Sequence, residues 1–313
     1  MILQDFIVSV KGGLYCRYGD FYLDARQPAR LAVISHAHAD HAIPGNGKVF
    51  CTAATRAFMQ QRYGPMAAGA FSCPAYRESF MVGPVRVSFL PAGHMLGSAM
   101  VLMEYEGVRY LYTGDFKTQA DPTCEPLETA EADVLITETT FARKDMLHPD
   151  AEKEMVKLSQ TRYPILLGAY ALGKSQRLVR LLNTHCPEKR ILVHPGIAPF
   201  MKIYTAFGID LGNWEPYNKK LLKSAEKDLV CLVTPLSYNS YGYAPNFVRV
   251  FASGWEQLQN KNGIKLFLSD HADWQGIILL IKSVSPKEVW TTHGEGTDLS
   301  NFFAGKLVVK ILD

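Results

Sequence analysis

The apolar positions of this chain fall into short runs that are separated by turn-forming residues. Runs rich in β-branched and aromatic residues predict strands, because such side chains suit a pleated, half-buried surface. A tight hairpin is predicted where Glu106-Gly107 separates two of the runs. The predicted strands span residues 31–34, 85–90, 100–105, 108–112, 134–137, 165–167, 191–193, 229–234, 265–268 and 288–291.

Helical spacing of apolar positions appears later in the chain than most of the strand runs. It predicts helices over residues 151–161, 175–184, 245–260 and 274–284. No internal repeat, low-complexity tract or flexible linker separates these elements. The mixture of strands and helices predicts an α/β fold.

Several predicted strands are followed closely by an imidazole or a carboxylate. His94, Asp115, Glu138, His271 and His293 each stand near the end of such a run. Ligand sites of α/β sheets lie beyond strand ends, where loops from separate parts of the chain meet. The sequence therefore predicts that these five side chains share one site.

Residues 35–41, Ser-His-Ala-His-Ala-Asp-His, directly follow the run 31–34 and hold three of the nine histidines. Strand geometry would point His36 and His38 the same way. A helix beginning there would present Asp40 and His41 in its first turn. This geometry predicts two adjacent metal ions, one held by His36 and His38 and the other by Asp40 and His41. The alternative is a polar turn that happens to be rich in histidine.

Composition is that of a globular protein. The 313 residues are 48% hydrophobic and 20% charged, which suits one large soluble domain or two ordinary ones. No signal-peptide pattern begins the chain, and no apolar run approaches the roughly 20 residues of a membrane span. The six cysteines are scattered without a CxxC pair. They predict reduced thiols in a cytoplasmic protein, neither a disulfide framework nor a structural zinc site.

The net charge of +3 is unevenly distributed along the chain. Residues 165–265 contain 13 Lys and Arg against six Asp and Glu, a local charge of +7, so the remainder carries −4. A basic segment beside an acidic body suits a polyanionic substrate. A solvated, lysine-rich surface would explain the same charge.

The order of the polar residues resembles the metal-ligand motifs of the metallo-β-lactamase superfamily. The family's HxHxDH motif matches residues 36–41, and its later ligands match GHMLGS, TGD and THGE. Asp24, in Phe-Tyr-Leu-Asp, matches the family's first aspartate, which orients ligands without binding the ions itself. Such ligands suit two Zn²⁺ ions, with Mn²⁺ as the alternative. The implied metal ligands are His36, His38 and His94 for one ion, Asp40, His41 and His293 for the second, and Asp115 between them.

Downstream of Asp115 the sequence resembles one branch of this superfamily, the β-CASP nucleases. Glu138 in TETT, His271 in SDHAD and His293 match the motifs of that branch. The resemblance implies that His271 touches the scissile phosphate or protonates the leaving group, and that Glu138 supports the site. It also implies a metallo-β-lactamase αβ/βα sandwich with an inserted α/β β-CASP cap domain. The implied boundaries are 1–164 and 263–313 for the sandwich and 165–262 for the cap.

Within the branch, GAYALGKSQR, ASGW and SDHADW resemble the bacterial exonucleases that accompany DNA ligases and are relatives of the Artemis-type nucleases. The implied function is a metal-dependent phosphodiesterase, a DNA exonuclease of DNA repair in which two metal ions activate a hydroxide. The implied catalytic residues are Asp40, Asp115, Glu138 and His271. The implied partners are nucleic acid, with DNA favoured over RNA, and by resemblance alone a DNA ligase and a helicase. We expect a monomer that does not bind membranes.

Two alternative activities remain open. Eukaryotic Artemis-type enzymes lack a histidine at the position of His293, whereas RNA-processing β-CASP proteins have one. An RNA-processing nuclease with the same site is therefore the first alternative. A small-molecule hydrolase such as a thioesterase or lactonase is the second, but it would need neither His271 nor a basic insert. A scaffold without activity should have lost metal ligands, and none of the seven is missing.

Residues 168–175, GAYALGKS, satisfy the GxxxxGK[ST] pattern of a nucleotide-binding P-loop. An ATPase is one interpretation, but no later strand ends in a clear Mg²⁺-binding aspartate, and the β-CASP branch has a similar Gly-Lys turn here. Amides at a helix N-terminus still suit a phosphate group. We therefore expect the substrate backbone to be bound by Gly173, Lys174, Ser175 and Arg177.

Overall fold

The computed structural model describes residues 1–224, 226–240, 246–294 and 296–312. Its strands are β1 (Ile7–Val10), β2 (Gly13–Cys16), β3 (Phe21–Leu23), β4 (Leu31–Val33), β5 (Asn46–Phe50), β6 (Ala68–Ser72), β7 (Ser79–Val82), β8 (Val85–Pro91), β9 (Ala99–Tyr105), β10 (Val108–Tyr112), β11 (Val134–Glu138), β12 (Ile165–Gly168), β13 (Arg190–Val193), β14 (Glu215–Pro216), β15 (Leu229–Val233), β16 (Val248–Phe251), β17 (Glu288–Thr292) and β18 (Val308–Ile311). Its helices are α1 (Ala53–Tyr63), α2 (Ala151–Ser159), α3 (Lys174–His185), α4 (Ala198–Ala206), α5 (Lys219–Ser224), α6 (Pro235–Ser240), α7 (Trp274–Val284) and α8 (Thr297–Phe303). No helix in these described ranges has the length and apolar character that crossing a bilayer would need.

The chain forms two compact units, one inserted into the other. Unit 1 comprises Met1–Leu147 and His271–Asp313, and unit 2 is His148–Asp270. Sequence analysis places the insert at 165–262. In the structure unit 2 begins earlier because α2 packs against α3, and it ends later because Leu266 forms a β-bridge with Ala252.

Unit 1 contains two sheets that bury a shared core. Their strand orders are β1-β2-β3-β4-β5-β6 and β18-β17-β11-β10-β9-β8-β7. Val33 of the first sheet packs in one cluster with Tyr112 and Trp290 of the second. Its neighbour Ala32 faces the other way and packs in a cluster with Met59 of α1. The period-two alternation thus buries both faces of the first sheet.

The second sheet of unit 1 is covered on both faces in the same manner. Tyr110 and Tyr112 of β10 face the shared core, whereas Leu111 packs in a cluster with Ile281 of α7 and Leu299 of α8. The layers of unit 1 therefore run helix, sheet, sheet, helix. The α/β class predicted from the sequence is confirmed.

Unit 2 is built around a five-stranded sheet of order β14-β13-β15-β12-β16. Its neighbouring strands pair in parallel, so their carboxyl ends share one edge. Leu166, Cys231 and Val233 pack with Tyr238 and Phe251 in its core. The strands read as continuous apolar runs because a parallel sheet is covered on both faces.

Two of the predicted elements are wrong, and several elements were not predicted, among them α1. The helix predicted over 245–260 is instead β16 followed by a short 3-10 helix at Glu256–Gln259, with residue 245 outside the described residues. The register of β16 on β12 explains this, since pairing across a sheet overrides local helical spacing. The strand predicted over 265–268 is reduced to the single bridge at Leu266. Helix α1 was missed, although Thr52 caps it by accepting a hydrogen bond from the amide of Thr55.

The predicted hairpin is confirmed, and it offers a test of backbone strain. β9 and β10 pair antiparallel with Tyr105 opposite Val108, and the two residues between them have positive φ, 48° at Glu106 and 76° at Gly107. No atom lies within 4 Å of the position that a Cβ of Gly107 would occupy.

We expect Gly107→Ala to lower the free energy of unfolding by about 1 kcal/mol, because a side chain is unfavourable at this φ even where space is open. Glu106→Asn is the matched change of opposite sign, since Asn tolerates positive φ and Asn-Gly is favoured in such turns. Urea unfolding curves of the two variants should lie on opposite sides of the wild-type curve. A Gly107→Ala variant as stable as wild type would contradict the strain.

Candidate metal centre

The histidine-rich segment leaves the first sheet directly after β4. It forms a single turn, in which the amides of His41 and Ala42 donate to the carbonyl oxygen of His38. The helix considered at this point from the sequence does not form, and α1 begins only at Ala53. The turn nevertheless brings the rings of His36 and His41 to 4.1 Å between centroids, with both side chains buried.

Three imidazoles and one carboxylate converge in unit 1. The Nε2 atoms of His36 and His94 each lie 3.1 Å from Nδ1 of His38. Oδ2 of Asp115 lies 3.5 Å from Nε2 of His36 and 3.8 Å from Nε2 of His94. Ligands about 2.0–2.1 Å from a tetrahedral zinc ion stand about 3.3 Å apart. These four residues therefore fit a divalent cation by both donor type and spacing.

Asp115 stands at the centre of the histidine cluster. Besides His36 and His94, its Oδ2 lies 3.5 Å from Nε2 of His41 and 3.9 Å from Nδ1 of His271. Burial by itself would raise the pKa of Asp115, but the neighbouring imidazoles, His41 first among them, hold it below its usual value. The carboxylate is thus ionised and placed where it could contact cations on two sides.

The second predicted ligand group, Asp40, His41 and His293, is more open. Oδ2 of Asp40 lies 3.8 Å from Nε2 of His41, and the Asp40 side chain is 77% exposed. The ring of His293 stacks on that of His41 with 5.0 Å between centroids. The structure therefore brings both residues to His41, but only the first group has all of its ligand atoms within 4.8 Å of one another.

The loop that carries His293 has a strained backbone. His293 itself has a φ of 51°, in the left-handed region that non-glycine residues rarely adopt. Gly294 follows with a φ of 149°, and a Cβ there would lie 2.5 Å from the carbonyl oxygen of Thr139. Strain of this kind is concentrated at functional sites, where the surrounding structure enforces it.

Asp24 orients the ring of His41 through a hydrogen bond to Nδ1. Its Oδ1 accepts a 2.7 Å hydrogen bond from the amide of Ser35, and its Oδ2 accepts from the Ser35 hydroxyl, from Nδ1 of His41 at 2.7 Å and from the Tyr112 hydroxyl at 2.9 Å. Because Nδ1 of His41 donates to Asp24, its Nε2 is the atom that can face a cation. Burial opposes charge on His41, but Asp115 and Asp24 outweigh it and raise the pKa of His41 to about 10.

We expect Asp24→Asn to weaken metal binding about 10–100-fold. The side-chain NH₂ group of Asn would face groups that are themselves hydrogen-bond donors, so the hydrogen bond that orients His41 would be lost. Competition with a chromogenic chelator measures this affinity. Tyr112→Phe is the control, since it removes one of the four donors and leaves the carboxylate in place. Unchanged affinity in Asp24→Asn would show that Asp24 does not orient His41.

His271 and Glu138 form a hydrogen-bonded pair beside Asp115. Nδ1 of His271 lies 2.8 Å from Oε2 and 3.1 Å from Oε1 of Glu138, and Oε1 also accepts a hydrogen bond from the amide of Phe116. Glu138 is buried, whereas the side chain of His271 is 25% exposed. The carboxylate fixes the ring through Nδ1 and directs Nε2 away from the pair.

Comparison with known proteins finds relatives that match most of the chain. A probable DNA ligase from Opitutus terrae is 29% identical over 309 residues, which are 94% of this chain and 30% of that protein. An RNase J-like protein from Methanocaldococcus jannaschii is 23% identical over 371 residues, which cover 94% of this chain and 87% of that protein. No protein-family model matches the chain.

A solved structure shares the fold. A protein of unknown function from Enterococcus faecalis V583 superposes with a TM-score of 0.60 at 14% identity, covering 90% of this chain and 79% of that one. The chain is similar to both named relatives over 94% of its length, which fits the β-CASP branch of the metallo-β-lactamase superfamily that its motifs resemble. It spans less than a third of the ligase-named relative but most of the RNase J-like one.

The Gly-Lys turn carries polar side chains that contact other residues of the protein. Arg177 is buried, and its Nη1 donates to the carbonyl oxygen of Ser269 at 2.6 Å and to Asp270 at 3.1 Å. Nζ of Lys174 lies 3.7 Å from Asp270, and the Ser175 hydroxyl donates to the carbonyl oxygen of Tyr170.

These contacts all lie within unit 2. The phosphate contacts predicted for Lys174, Ser175 and Arg177 stay a prediction, and the structure shows protein contacts for the same side chains. Gly173, with a φ of 82°, supplies the turn that begins α3.

The sequence analysis did not single out two residues that support the metal centre. Ser35 and Tyr112 donate to Asp24, yet neither was singled out. A signal was present in both cases, since Ser35 directly precedes His36 and Tyr112 ends the strand that leads to Asp115.

Proposed function

We propose that this chain is a metal-dependent nuclease, a DNA exonuclease that acts in DNA repair. The observation that carries the proposal is the position of Asp115, whose Oδ2 lies within 3.9 Å of nitrogen atoms of four histidines, His36, His41, His94 and His271. The relative named as a probable DNA ligase, which matches over 94% of this chain, supports DNA as the substrate.

The proposed ligands divide between two divalent cations, with zinc as the proposed metal. His36, His38 and His94 would hold one, Asp40, His41 and His293 the other, and Asp115 would contact both. Bound cations supply positive charge for the phosphate oxygens and lower the pKa of water. Asp24 orients His41, so that the protein itself sets the direction of that ligand.

The chain's own acid–base group is proposed to be His271. Glu138 accepts from Nδ1, which stabilises the protonated ring and leaves the Nε2 proton for the leaving oxygen of the cleaved ester. The partial exposure of His271 lets a substrate reach it, whereas Glu138 remains out of solvent.

Unit 2 is proposed to be the β-CASP cap and to contact the nucleic-acid backbone. Its segment 165–265 carries a charge of +7, which is the expected complement of a polyphosphate. Contact through exposed Lys and Arg would be insensitive to base sequence and would weaken with salt.

RNA is the second candidate substrate. His293 is present where RNA-processing members of the branch have a histidine, and the relative from Methanocaldococcus jannaschii is named RNase J-like. The same metal centre would serve either polymer, because the reacting group is a phosphodiester in both.

Matched oligonucleotides test the proposal. DNA and RNA of one sequence, single- and double-stranded, with and without a 5′-phosphate and labelled at one end, are incubated with the Zn²⁺- or Mn²⁺-loaded protein. We expect DNA to be shortened progressively from one end. Faster cleavage of RNA would favour the second candidate, and hydrolysis of small thioesters or lactones without cleavage of either polymer would contradict a nuclease.

A further inference from the structure

A lysine with no assigned role is buried beside the loop that carries His94. The side chain of Lys117, two residues after Asp115, is 1% exposed. Its Nζ lies 2.5 Å from Oδ2 of Asp121, whose side chain is 3% exposed, and donates to the backbone carbonyl oxygen of His94 at 3.3 Å. Burying an ion pair costs desolvation energy that its attraction often only balances, so stability is a weak reason for this pair.

The segment around Lys117 forms further hydrogen bonds with the loop that carries His94. The amide of Lys117 donates to the carbonyl oxygen of Ala92, and Sγ of Cys124 donates to that of Gly93. Gly93 has a φ of 70°, and a Cβ there would lie 2.6 Å from the carbonyl oxygen of Lys117. The two segments are therefore in direct backbone contact, with three successive carbonyl groups, at 92, 93 and 94, accepting bonds from residues 117–124.

The side chain of Asp121 is held by hydrogen bonds of its own, so it can fix the position of Lys117. Its Oδ1 accepts from the amide of Thr123 at 2.9 Å and from the Thr123 hydroxyl at 2.6 Å, while Oδ2 accepts from Lys117. Both carboxylate oxygens are thus used. The ammonium group cannot follow a displaced His94 without leaving Asp121.

The backbone of His94 is restrained on both sides. Its amide donates to the Ser98 hydroxyl at 3.1 Å, and its carbonyl oxygen accepts from Lys117. The ring of the same residue must place Nε2 close to Nδ1 of His38 and to Asp115. Because a metal centre tolerates misplacement of a ligand by only a fraction of an ångström, the restraint at the peptide acts on the ligand atom.

We propose that Lys117, anchored by Asp121, is a positioning residue that holds the peptide of His94 and thereby sets the geometry of the His36–His38–His94 cation site. For its activity readout the inference rests on the proposed nuclease function, whereas its metal readouts do not.

The test uses the full chain loaded with Co²⁺, whose visible absorption bands report ligand geometry, and Zn²⁺ affinity measured by chelator competition. Lys117→Met keeps the length of the side chain and removes the donor. We expect shifted Co²⁺ bands, Zn²⁺ affinity reduced about 10–100-fold and, at saturating metal, a lower kcat on DNA with KM unchanged. Lys287→Met is the matched control, because it breaks the ion pair with Asp133 in the same unit on an exposed side chain.

Asp121→Asn is the second variant, and thermal unfolding of the metal-free proteins shows which variants fold. It keeps the lysine but weakens its anchor, so a smaller shift in the same bands is expected. If the folded variants have the Co²⁺ spectrum and Zn²⁺ affinity of wild type, the proposal is overturned, and Asp121→Asn decides alone should Lys117→Met not fold. If the variants have altered Co²⁺ spectra but the wild-type protein cleaves no nucleic acid, the nuclease function is contradicted and this inference is supported.

Discussion

Asp115→Ala is expected to abolish nucleic-acid cleavage, with kcat reduced by more than about 10³-fold, and to reduce the amount of bound metal. The physical reason is the number of groups that depend on one carboxylate. Its Oδ2 lies within 3.9 Å of ring nitrogens of four histidines. Without it those imidazoles lose their shared counter-charge, and cations at the site lose the one ligand that could contact both.

The measurement combines end-labelled DNA cleavage with elemental analysis of the purified protein. Asp145→Ala is a suitable control, because Asp145 belongs to the same unit, is exposed and pairs only with Arg143 among the described residues. Asp115→Asn separates charge from volume and should be nearly as inactive. Cleavage by an Asp115→Ala protein at the wild-type rate would end the argument for this centre.

His271→Ala should reduce cleavage of DNA about 10²–10⁴-fold while the bound metal stays near the wild-type amount. The ring is held by Glu138 through Nδ1 and is not one of the proposed metal ligands. Its loss therefore removes a proton donor and leaves the cation sites intact. Loss of activity without loss of bound metal distinguishes this variant from Asp115→Ala.

The leaving group of the substrate gives a sharper test of the same residue. A bis(p-nitrophenyl) phosphodiester releases p-nitrophenolate, which needs no proton, so His271→Ala should lose far less activity on it than on DNA. His185→Ala, a histidine paired with Glu152 in unit 2, is the control and should lose little on either substrate. Equal losses of His271→Ala on both substrates would argue against proton donation.

The sequence could predict that these residues lie in one site, because they follow the ends of strands. His94, Asp115 and Glu138 stand at or just after the ends of β8, β10 and β11. β10 pairs in parallel with β11, and β8 runs in the same direction because β9 lies antiparallel between β8 and β10, so the three carboxyl ends share one edge of the sheet. The rule needs only the order of the strands and the residue that follows each. It says nothing about the direction of a side chain within the site.

The parts that escaped prediction depend on neighbours that are distant in sequence. The contacts of Arg177 are one such case, because its guanidinium binds Ser269 and Asp270, more than ninety residues away. Lys117 was not singled out from the sequence, and in the structure Asp121 and the peptide of His94 enclose it. Charged residues are usually exposed. A buried charge needs nearby partners that offset its desolvation cost, and those partners are seen only in the structure.

The inserted position of unit 2 has a consequence for the protein during its synthesis. Val134 in β11 pairs with Glu288 in β17, so the larger sheet of unit 1 can close only after the ribosome has added residues that follow the whole of unit 2. A chain interrupted anywhere within unit 2 would already carry His36, His38, His94 and Asp115, yet would lack His271 and His293. We therefore expect partial translation products to lack both the closed sheet and these two histidines, and to cleave no nucleic acid.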